Sequence, residues 1–178
     1  DCDPSLGPDI PLERVETIRD LGIILDEKLT FKAHCDKLIG KANGLLGFIK
    51  RRAKEFNNVW VTKQLYLTYV RSVLEFGSVI WMPYTLEYIN KIESVQKKFL
   101  LFALRNRYDP RNFNQLPPYE DRLNILELQK LSSRREQAAC IFIFNLLKGN
   151  IKSQELLNNV TINRNRQTRF SRYLSEYQ

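Results

Sequence analysis

Residues 30–56 read TFKAHCDKLIGKANGLLGFIKRRAKEF, and this stretch decides the fold because its apolar residues recur at helical spacing. Thr30 stands just before the pattern, at a position where threonine caps a helix N-terminus. The apolar residues lie three or four positions apart and form one stripe along a helix: Cys35, Leu38, Ile39, Ala42, Leu45, Leu46, Ile49, Ala53 and Phe56. The stretch therefore predicts a long amphipathic helix whose stripe faces the core.

The opposite side of this helix carries glycines and cations. Gly40, Gly44 and Gly47 fall there, and the cations beside them are Lys37, Lys41, Arg51 and Lys54. Each glycine costs a helix about 1 kcal/mol relative to alanine, so a compensating role is expected. A face without side chains lets another backbone come close. It predicts either a sugar-phosphate chain held by the cations or a second helix packed on small residues, and both interpretations are open.

The segment before this helix predicts a β-strand. Residues 12–26 are rich in β-branched side chains and end in an apolar run, Leu21 to Asp26, that is too short for a helix and is bounded by charge. We expect a strand here, as part of a hairpin whose other half is missing.

The segments after residue 56 predict further helices. A second helix is expected from about residue 59 to 81, with Gly77 on a wide apolar face and Pro83 ending it. A third begins near Thr85 and reaches Ala103, and residues 107–116 are expected to form a loop.

The prolines 117 and 118 start a short helix that runs to about Leu126. Residues 133–136 (SRRE) form a capping-box pattern ahead of an apolar run from Ala138 to Leu147, and Gly149 suits the helix end. From residue 150 onward the composition predicts a loose basic tail.

The third helix carries a row of cations. Lys91, Lys98 and Arg105 are seven residues apart, nearly two helical turns per step, so they align on the polar side. A row of cations about 10 Å apart can follow a phosphate backbone. A solvated surface is the alternative explanation.

The composition agrees with a polyanionic partner. Twenty-eight Lys and Arg against 20 Asp and Glu give a net charge of +8, which favours nucleic acid or an anionic membrane surface. No apolar run is long enough to span a bilayer, so we expect no membrane partner. The three cysteines are odd in number and far apart, which favours a reducing intracellular compartment, nucleus or cytoplasm.

No catalytic pattern is present in the sequence. His34 is the only histidine, and no G-x-S-x-G or G-x-x-x-x-G-K-[ST] motif accompanies it. We therefore expect His34 to be structural or capping. The neighbouring acids Glu120 and Asp121 are explained by the first turn of a helix, where its dipole favours them.

Four stretches together resemble one family. They are residues 19–26 (RDLGIILD) followed by Leu29, Thr30, Phe31 and His34; residues 70–77 (VRSVLEFG) with Trp81 and Pro83; residues 92–99 (IESVQKKF); and residues 116–123 (LPPYEDRL). In this order they resemble the C-terminal part of a non-LTR retrotransposon reverse transcriptase of the jockey-like kind.

The resemblance implies a mainly α-helical fold, a thumb-like helical bundle preceded by one or two strands left from the palm. It divides the chain into a palm-strand remnant at residues 1–29, the thumb and downstream helices at 30–150 and a polar basic tail at 151–178. The partner it implies is RNA and DNA template-primer, and the rest of a reverse transcriptase is a further candidate. The chain is then a fragment of an RNA-directed DNA polymerase.

The family's catalytic residues do not carry over. Its polymerases bind two Mg²⁺ ions through palm aspartates, two of them in an aromatic-x-Asp-Asp turn that this sequence lacks. Asp20 and Asp26 match a structural motif, so no metal is assigned to them, and Mg²⁺ is expected only in the full-length polymerase. The alternatives are a helical protein-interaction module and a relic of a transposable element without a function.

Overall fold

The computed structural model describes residues 14–56, 58–105 and 116–160. Within them the chain is mainly α-helical, with a short two-stranded antiparallel sheet near the start, as the sequence predicts. The elements follow in this order: β1 (Thr17–Asp20), β2 (Ile23–Asp26), α1 (Lys32–Phe56), α2 (Val59–Leu65), a π-helical segment (Tyr66–Arg71), α3 (Ser72–Glu75), α4 (Ser78–Trp81), α5 (Leu86–Ala103), α6 (Tyr119–Ile125), α7 (Leu131–Leu147) and α8 (Gln154–Asn158).

The chain divides into two compact units, Asp1–Gln137 and Ala138–Gln178. Their boundary falls inside α7, whereas the sequence-based division has boundaries at residues 29 and 150, which stay predictions. The expected loop at 107–116 lies almost entirely outside the described residues, and the arginines beyond residue 160 lie outside them too.

The strands β1 and β2 form a closed hairpin. They pair antiparallel, with Asp20 opposite Ile23. The two residues between them, Leu21 and Gly22, have φ angles of 45° and 90°, as a two-residue hairpin turn of the primed type requires. The strand prediction is thus confirmed, but the expectation that the partner strand is missing is wrong, because residues 17–20 supply it. Ile23 of β2 is buried in the core.

The Asp26 carboxylate organises the turn between β2 and α1. It accepts hydrogen bonds from the backbone N–H groups of Thr30 (2.9 Å) and Phe31 (2.7 Å) and from the Thr30 hydroxyl (3.1 Å). The hydrogen bond from the Thr30 backbone is the main reason why the pKa of Asp26 is lowered. Thr30 itself accepts only a 3.5 Å hydrogen bond from the Lys32 N–H. The carboxylate of Asp26 therefore replaces much of the capping role expected of Thr30.

Helix α1 buries the predicted stripe against α3, α5 and the π-helical segment. Its most buried members are Cys35, Leu38, Ala42, Leu46, Ile49 and Ala53. Across the core from α1, the rings of Tyr66 and Phe99 stack with centroids 4.0 Å apart. Burial of this apolar surface, at about 25 cal/mol per Å², is the main source of stability for the first unit.

The second predicted helix is interrupted. After α2 the backbone widens into the π-helical segment, returns to α3 and then breaks at Gly77, which has φ 63° and precedes the short α4. A Cβ atom on Gly77 would lie 2.9 Å from the Ile23 Cδ1 atom. The expectation that Gly77 lies on a helix face is therefore wrong: it forms a left-handed bend that lets the hairpin approach closely.

Helix α7 begins at Leu131, two residues before the predicted capping box. The Glu93 carboxylate of α5 accepts hydrogen bonds from the backbone N–H groups of Leu131 (3.1 Å) and Ser132 (3.3 Å). A residue distant in sequence thus supplies the cap, and Ser133 lies inside the helix.

The end of α7 agrees with the prediction for Gly149. This residue has φ 75°, and the N–H of the following Asn150 donates to the Asn145 carbonyl at 3.0 Å, the closure expected of a glycine C-cap. In the described part of the expected loose tail, α8 forms a single short turn, which the sequence analysis did not predict.

Candidate nucleic-acid interface

The two helices predicted to carry cations pack against each other. Helices α1 and α5 are in contact, and the Lys98 ammonium of α5 donates a 3.2 Å hydrogen bond to the Asn43 side-chain oxygen of α1. This contact joins residues 55 positions apart in sequence. Lys98 of the predicted row on α5 therefore lies beside Asn43 of α1.

A basic cluster lies along this contact. The Lys50 nitrogen of α1 is 5.8 Å from the centre of the Phe102 ring, and the Arg105 guanidinium is 4.1 Å from the same centre. Burial, and secondarily the charge of Lys98, lowers the pKa of Lys50. We call Lys50, Lys98, Phe102 and Arg105 the α1–α5 basic cluster.

Within the part of the chain that the structure describes, no ion pair neutralises this cluster. Among residues 14–56, 58–105 and 116–160, no carboxylate lies within 4.0 Å of the charged nitrogens of Lys50, Lys98 or Arg105. Burial and a neighbouring cation both disfavour the charged form of a lysine, so both lower the pKa of Lys50. A bound anion would relieve this repulsion.

Lys50 was not among the predicted site residues. Lys50 follows Asn43 on α1 by seven positions. Lys91, Lys98 and Arg105 on α5 have the same spacing, so polar side chains recur at the same interval along both helices. This repeat could have identified it, but only with knowledge that α1 and α5 are neighbours.

The glycines of α1 face open space within the described structure. Gly40 and Gly44 are exposed, and a Cβ atom on either would meet no described atom within 4 Å. A Cβ atom on Gly47 would lie 3.5 Å from a guanidinium nitrogen of Arg51. The described chain supplies no second helix that packs on Gly40 and Gly44, so a ligand backbone could approach there.

The remaining predicted cations separate into different positions. Lys91 forms a 2.5 Å ion pair with Glu87 on its own helix and lies 4.7 Å from the Tyr88 ring centre. Its charge is therefore already compensated. Lys37 and Lys41 are exposed on the side of α1 that faces the β-hairpin. The side chain of Lys54 lies outside the described residues.

His34 has a structural environment. Its Nδ1 atom accepts a 3.3 Å hydrogen bond from the Ile24 backbone N–H, and its ring contacts the edge of Trp81 at 5.3 Å. Burial, followed by the charge of Lys37, lowers the pKa of this imidazole. Among the described residues there is no group of three His, Cys, Asp or Glu side chains placed to hold a metal ion.

Glu120 forms a 2.6 Å ion pair with Lys130. This pair explains the position of one of the two adjacent acids, and no bound ligand is needed to explain it.

None of the described helices has the length and hydropathy needed to cross a membrane.

The four stretches that carry the family resemblance contact each other in two pairs. His34 of the first touches Trp81 of the second, and the Gln96 side chain of the third donates a 3.1 Å hydrogen bond to the Tyr119 hydroxyl of the fourth. Their most characteristic residues hold the fold together. Of the cluster residues, Lys98 belongs to the third stretch, whereas Lys50, Phe102 and Arg105 lie outside all four.

Comparisons with models of known protein families, with curated proteins and with solved structures found no match for this chain. Its function therefore has to be inferred from its own residues.

Proposed function

We propose that this chain holds a nucleic-acid duplex, RNA–DNA or DNA, through contacts to phosphates and without choosing a base sequence. The observation that carries the proposal is the α1–α5 basic cluster. In it Lys50 and Arg105 lie near the Phe102 ring, Lys98 lies at the contact between α1 and α5, and none of the three has an ion-pair partner among the described residues. Phosphates are the anions that such cations bind in proteins.

The open glycines of α1 support the same proposal. Gly44 follows Asn43, to which Lys98 is hydrogen-bonded, at about 100° around the helix axis, and it adds no side chain to the surface. A sugar-phosphate backbone could therefore come close to α1 while the cations contact its phosphates. Such contacts set the position of a duplex and carry little information about its sequence.

We further infer that the chain is the thumb and downstream region of a non-LTR retrotransposon reverse transcriptase. The support is the resemblance of the four stretches and the contacts that they make with each other. Under this proposal the chain is not an enzyme alone, since the aromatic-x-Asp-Asp turn is absent from its sequence. Mg²⁺ and the polymerase activity belong to a longer protein.

The test is duplex affinity measured by fluorescence anisotropy over a range of salt concentrations. Neutralising a handful of phosphates gives a log–log salt slope of roughly −3 to −6. The variant Lys50→Gln/Lys98→Gln should make this slope shallower by about 1 to 2 and weaken binding.

The matched control is Lys91→Gln, which removes the same kind of charge from α5 but at a lysine already paired with Glu87. Its effect should be clearly smaller than that of either single change in the cluster. A duplex affinity that does not change with salt concentration counts against the proposal. So does an equal loss of duplex affinity in Lys91→Gln and Lys98→Gln.

A second variant, Gly44→Leu, tests the open face separately. Leucine is the better helix former, so the stability of the free chain should rise by up to about 1 kcal/mol while duplex affinity falls. If stability falls and affinity is intact, the face packs against protein and does not bind the duplex.

A protein-interaction module is the second candidate function. The observation that favours it is the exposure of large apolar side chains on the first unit: Trp60 is 67% exposed, Tyr84 70% and Leu86 76%. Exposed apolar residues of this size are typical of protein contact surfaces. If duplex binding is absent and Trp60→Ser abolishes self-association in analytical ultracentrifugation, this function replaces the first.

A further inference from the structure

A groove of about 480 Å³ opens between the β-hairpin, α1 and the end of α3. Its apolar lining includes Leu38 of α1, Val73 of α3 and Phe76, which follows α3. Small-molecule sites in proteins have volumes of about 300–1,000 Å³ and mostly apolar walls. The size and the lining of this groove are those of a site for a small organic molecule.

The charges around the groove all have one sign. Arg19 of the hairpin and Lys37 and Lys41 of α1 line it, and no acidic residue among residues 14–56, 58–105 and 116–160 does. These three cations form no ion pair within the described structure. A ligand that matches this groove therefore carries negative charge.

Two further groups in the groove favour a ring-shaped ligand. The Phe76 side chain is 60% exposed and Leu21 is 85% exposed, so both offer apolar surface to a ligand. An aromatic ring on Phe76 gains stacking in addition to apolar burial.

His34 also lines the groove, and the side chain is 94% buried, with 6% of its surface exposed. Its Nδ1 atom accepts the Ile24 N–H, so the proton of the neutral ring lies on Nε2, which has no partner among the described residues. His34 therefore brings a buried polar group without a hydrogen-bond partner among the described residues to the wall of the groove.

We propose that this groove binds a small aromatic anion, a flat ring system carrying a carboxylate, sulfonate or phosphate group. The ring lies against Phe76 and Leu21, and the acidic group lies near Arg19, Lys37 and Lys41. The proposal does not depend on nucleic-acid binding, since the groove is lined by none of the residues of the α1–α5 basic cluster.

The experiment uses the whole chain and the probe 8-anilinonaphthalene-1-sulfonate, followed by fluorescence and by NMR. His34 is the only histidine in the chain, so its imidazole signals report on the groove without ambiguity. We expect saturable binding of one probe per chain, with a shift of the His34 signals that saturates together with the fluorescence.

The variant Lys37→Gln/Lys41→Gln should weaken probe binding about tenfold, and the matched control Lys28→Gln/Lys32→Gln should leave it unchanged. Both pairs consist of exposed lysines and alter the net charge equally, but Lys28 and Lys32 do not line the groove. Lys50→Gln/Lys98→Gln should also leave probe affinity unchanged, which separates this site from the duplex surface.

The proposal is overturned if the NMR signals of His34 do not shift when the probe binds. It is also overturned if the two double lysine variants lose probe affinity equally. Equal or tighter binding of decanoate, an anion of similar charge with a flexible chain, overturns the assignment of an aromatic ligand. Cooperative thermal unfolding of each variant confirms that lost binding is not lost folding.

Discussion

Gly77 is the residue on which the contact between hairpin and helices depends. Its φ of 63° places it in the left-handed region, and a side chain would meet Ile23, which is buried in the core. Both facts penalise any other residue at this position, because a left-handed conformation with a Cβ atom costs roughly 1–2 kcal/mol before any clash is counted.

We predict that Gly77→Ala lowers the free energy of unfolding by about 1–3 kcal/mol, measured by urea denaturation. The control is Gly40→Ala, on an exposed part of α1 where a Cβ atom meets nothing described within 4 Å. That change should raise stability by up to about 1 kcal/mol, because alanine is the better helix former. If Gly77→Ala and Gly40→Ala change the free energy of unfolding in the same direction, the left-handed conformation assigned to Gly77 is contradicted.

His34 makes stability depend on pH. Burial and the charge of Lys37 lower the pKa of its imidazole below the ordinary value of 6.5. The folded chain therefore resists protonation more than the unfolded chain, and stability falls as the pH drops from about 6.5 toward the folded pKa. Above about pH 7.5 both states are almost fully neutral at this position and the contribution is constant.

We predict that the free energy of unfolding decreases between pH 7.5 and 5.5, and that His34→Gln flattens this dependence. The imidazole pKa of the folded chain can be read directly from the NMR signals of the only histidine. An imidazole pKa at or above 6.5 is the result that excludes the buried, neutral ring.

At the scale of elements, α5 is the central connector of the first unit. One side of it carries Glu93 and Gln96, both buried, and another side carries Lys98. Gln96 accepts a 2.8 Å hydrogen bond from the Tyr66 hydroxyl and donates one of 2.9 Å to the Gln129 carbonyl. The same helix therefore joins the polar interior to the basic surface.

We predict that Glu93→Gln destabilises the chain by about 1–3 kcal/mol in urea denaturation. The Glu93 carboxylate accepts hydrogen bonds from the Tyr119 hydroxyl and from two backbone N–H groups at the start of α7. An amide in its place loses the charge and brings an NH₂ group toward these donors.

Glu87→Gln is the control for this change, because Glu87 lies on the same helix but is paired with Lys91 at the exposed surface. Its effect should be small, since exposed ion pairs contribute little. If the two changes have similar effects, Glu93 does not cap α7 as described.

At the scale of the whole molecule, the chain has a net charge of +8, and two surfaces of the first unit carry cations. The groove beside the hairpin and the α1–α5 basic cluster both present cations without ion-pair partners among the described residues. No residue of the α1–α5 basic cluster lines the groove, so a substitution in the cluster leaves the lining of the groove unchanged.

We predict that the purified chain does not extend a primed template when supplied with deoxynucleotides and Mg²⁺. The sequence contains no aromatic-x-Asp-Asp turn, and phosphoryl transfer by this route needs carboxylates that hold two metal ions. A mock preparation from the same host gives the background. Extension above that background, rising in proportion to the chain, would overturn the assignment of a non-catalytic fragment.

By itself, the sequence determined the elements whose pattern is local. The stripe of α1, the span of α5 and the glycine at the end of α7 all follow from spacing within one segment, because each helix buries a face that its own residues define. The strand at 23–26 was predictable on the same basis, and so was the basic character of the surface.

Only the tertiary structure decided the features that depend on residues far apart. The cap of α7 comes from Glu93, the bend at Gly77 is required by Ile23, and Lys50 joins the cluster because α1 lies beside α5. Local spacing contains no information about such neighbours. The chain's own packing brings these groups within hydrogen-bonding or electrostatic range, and that proximity gives each of them its role.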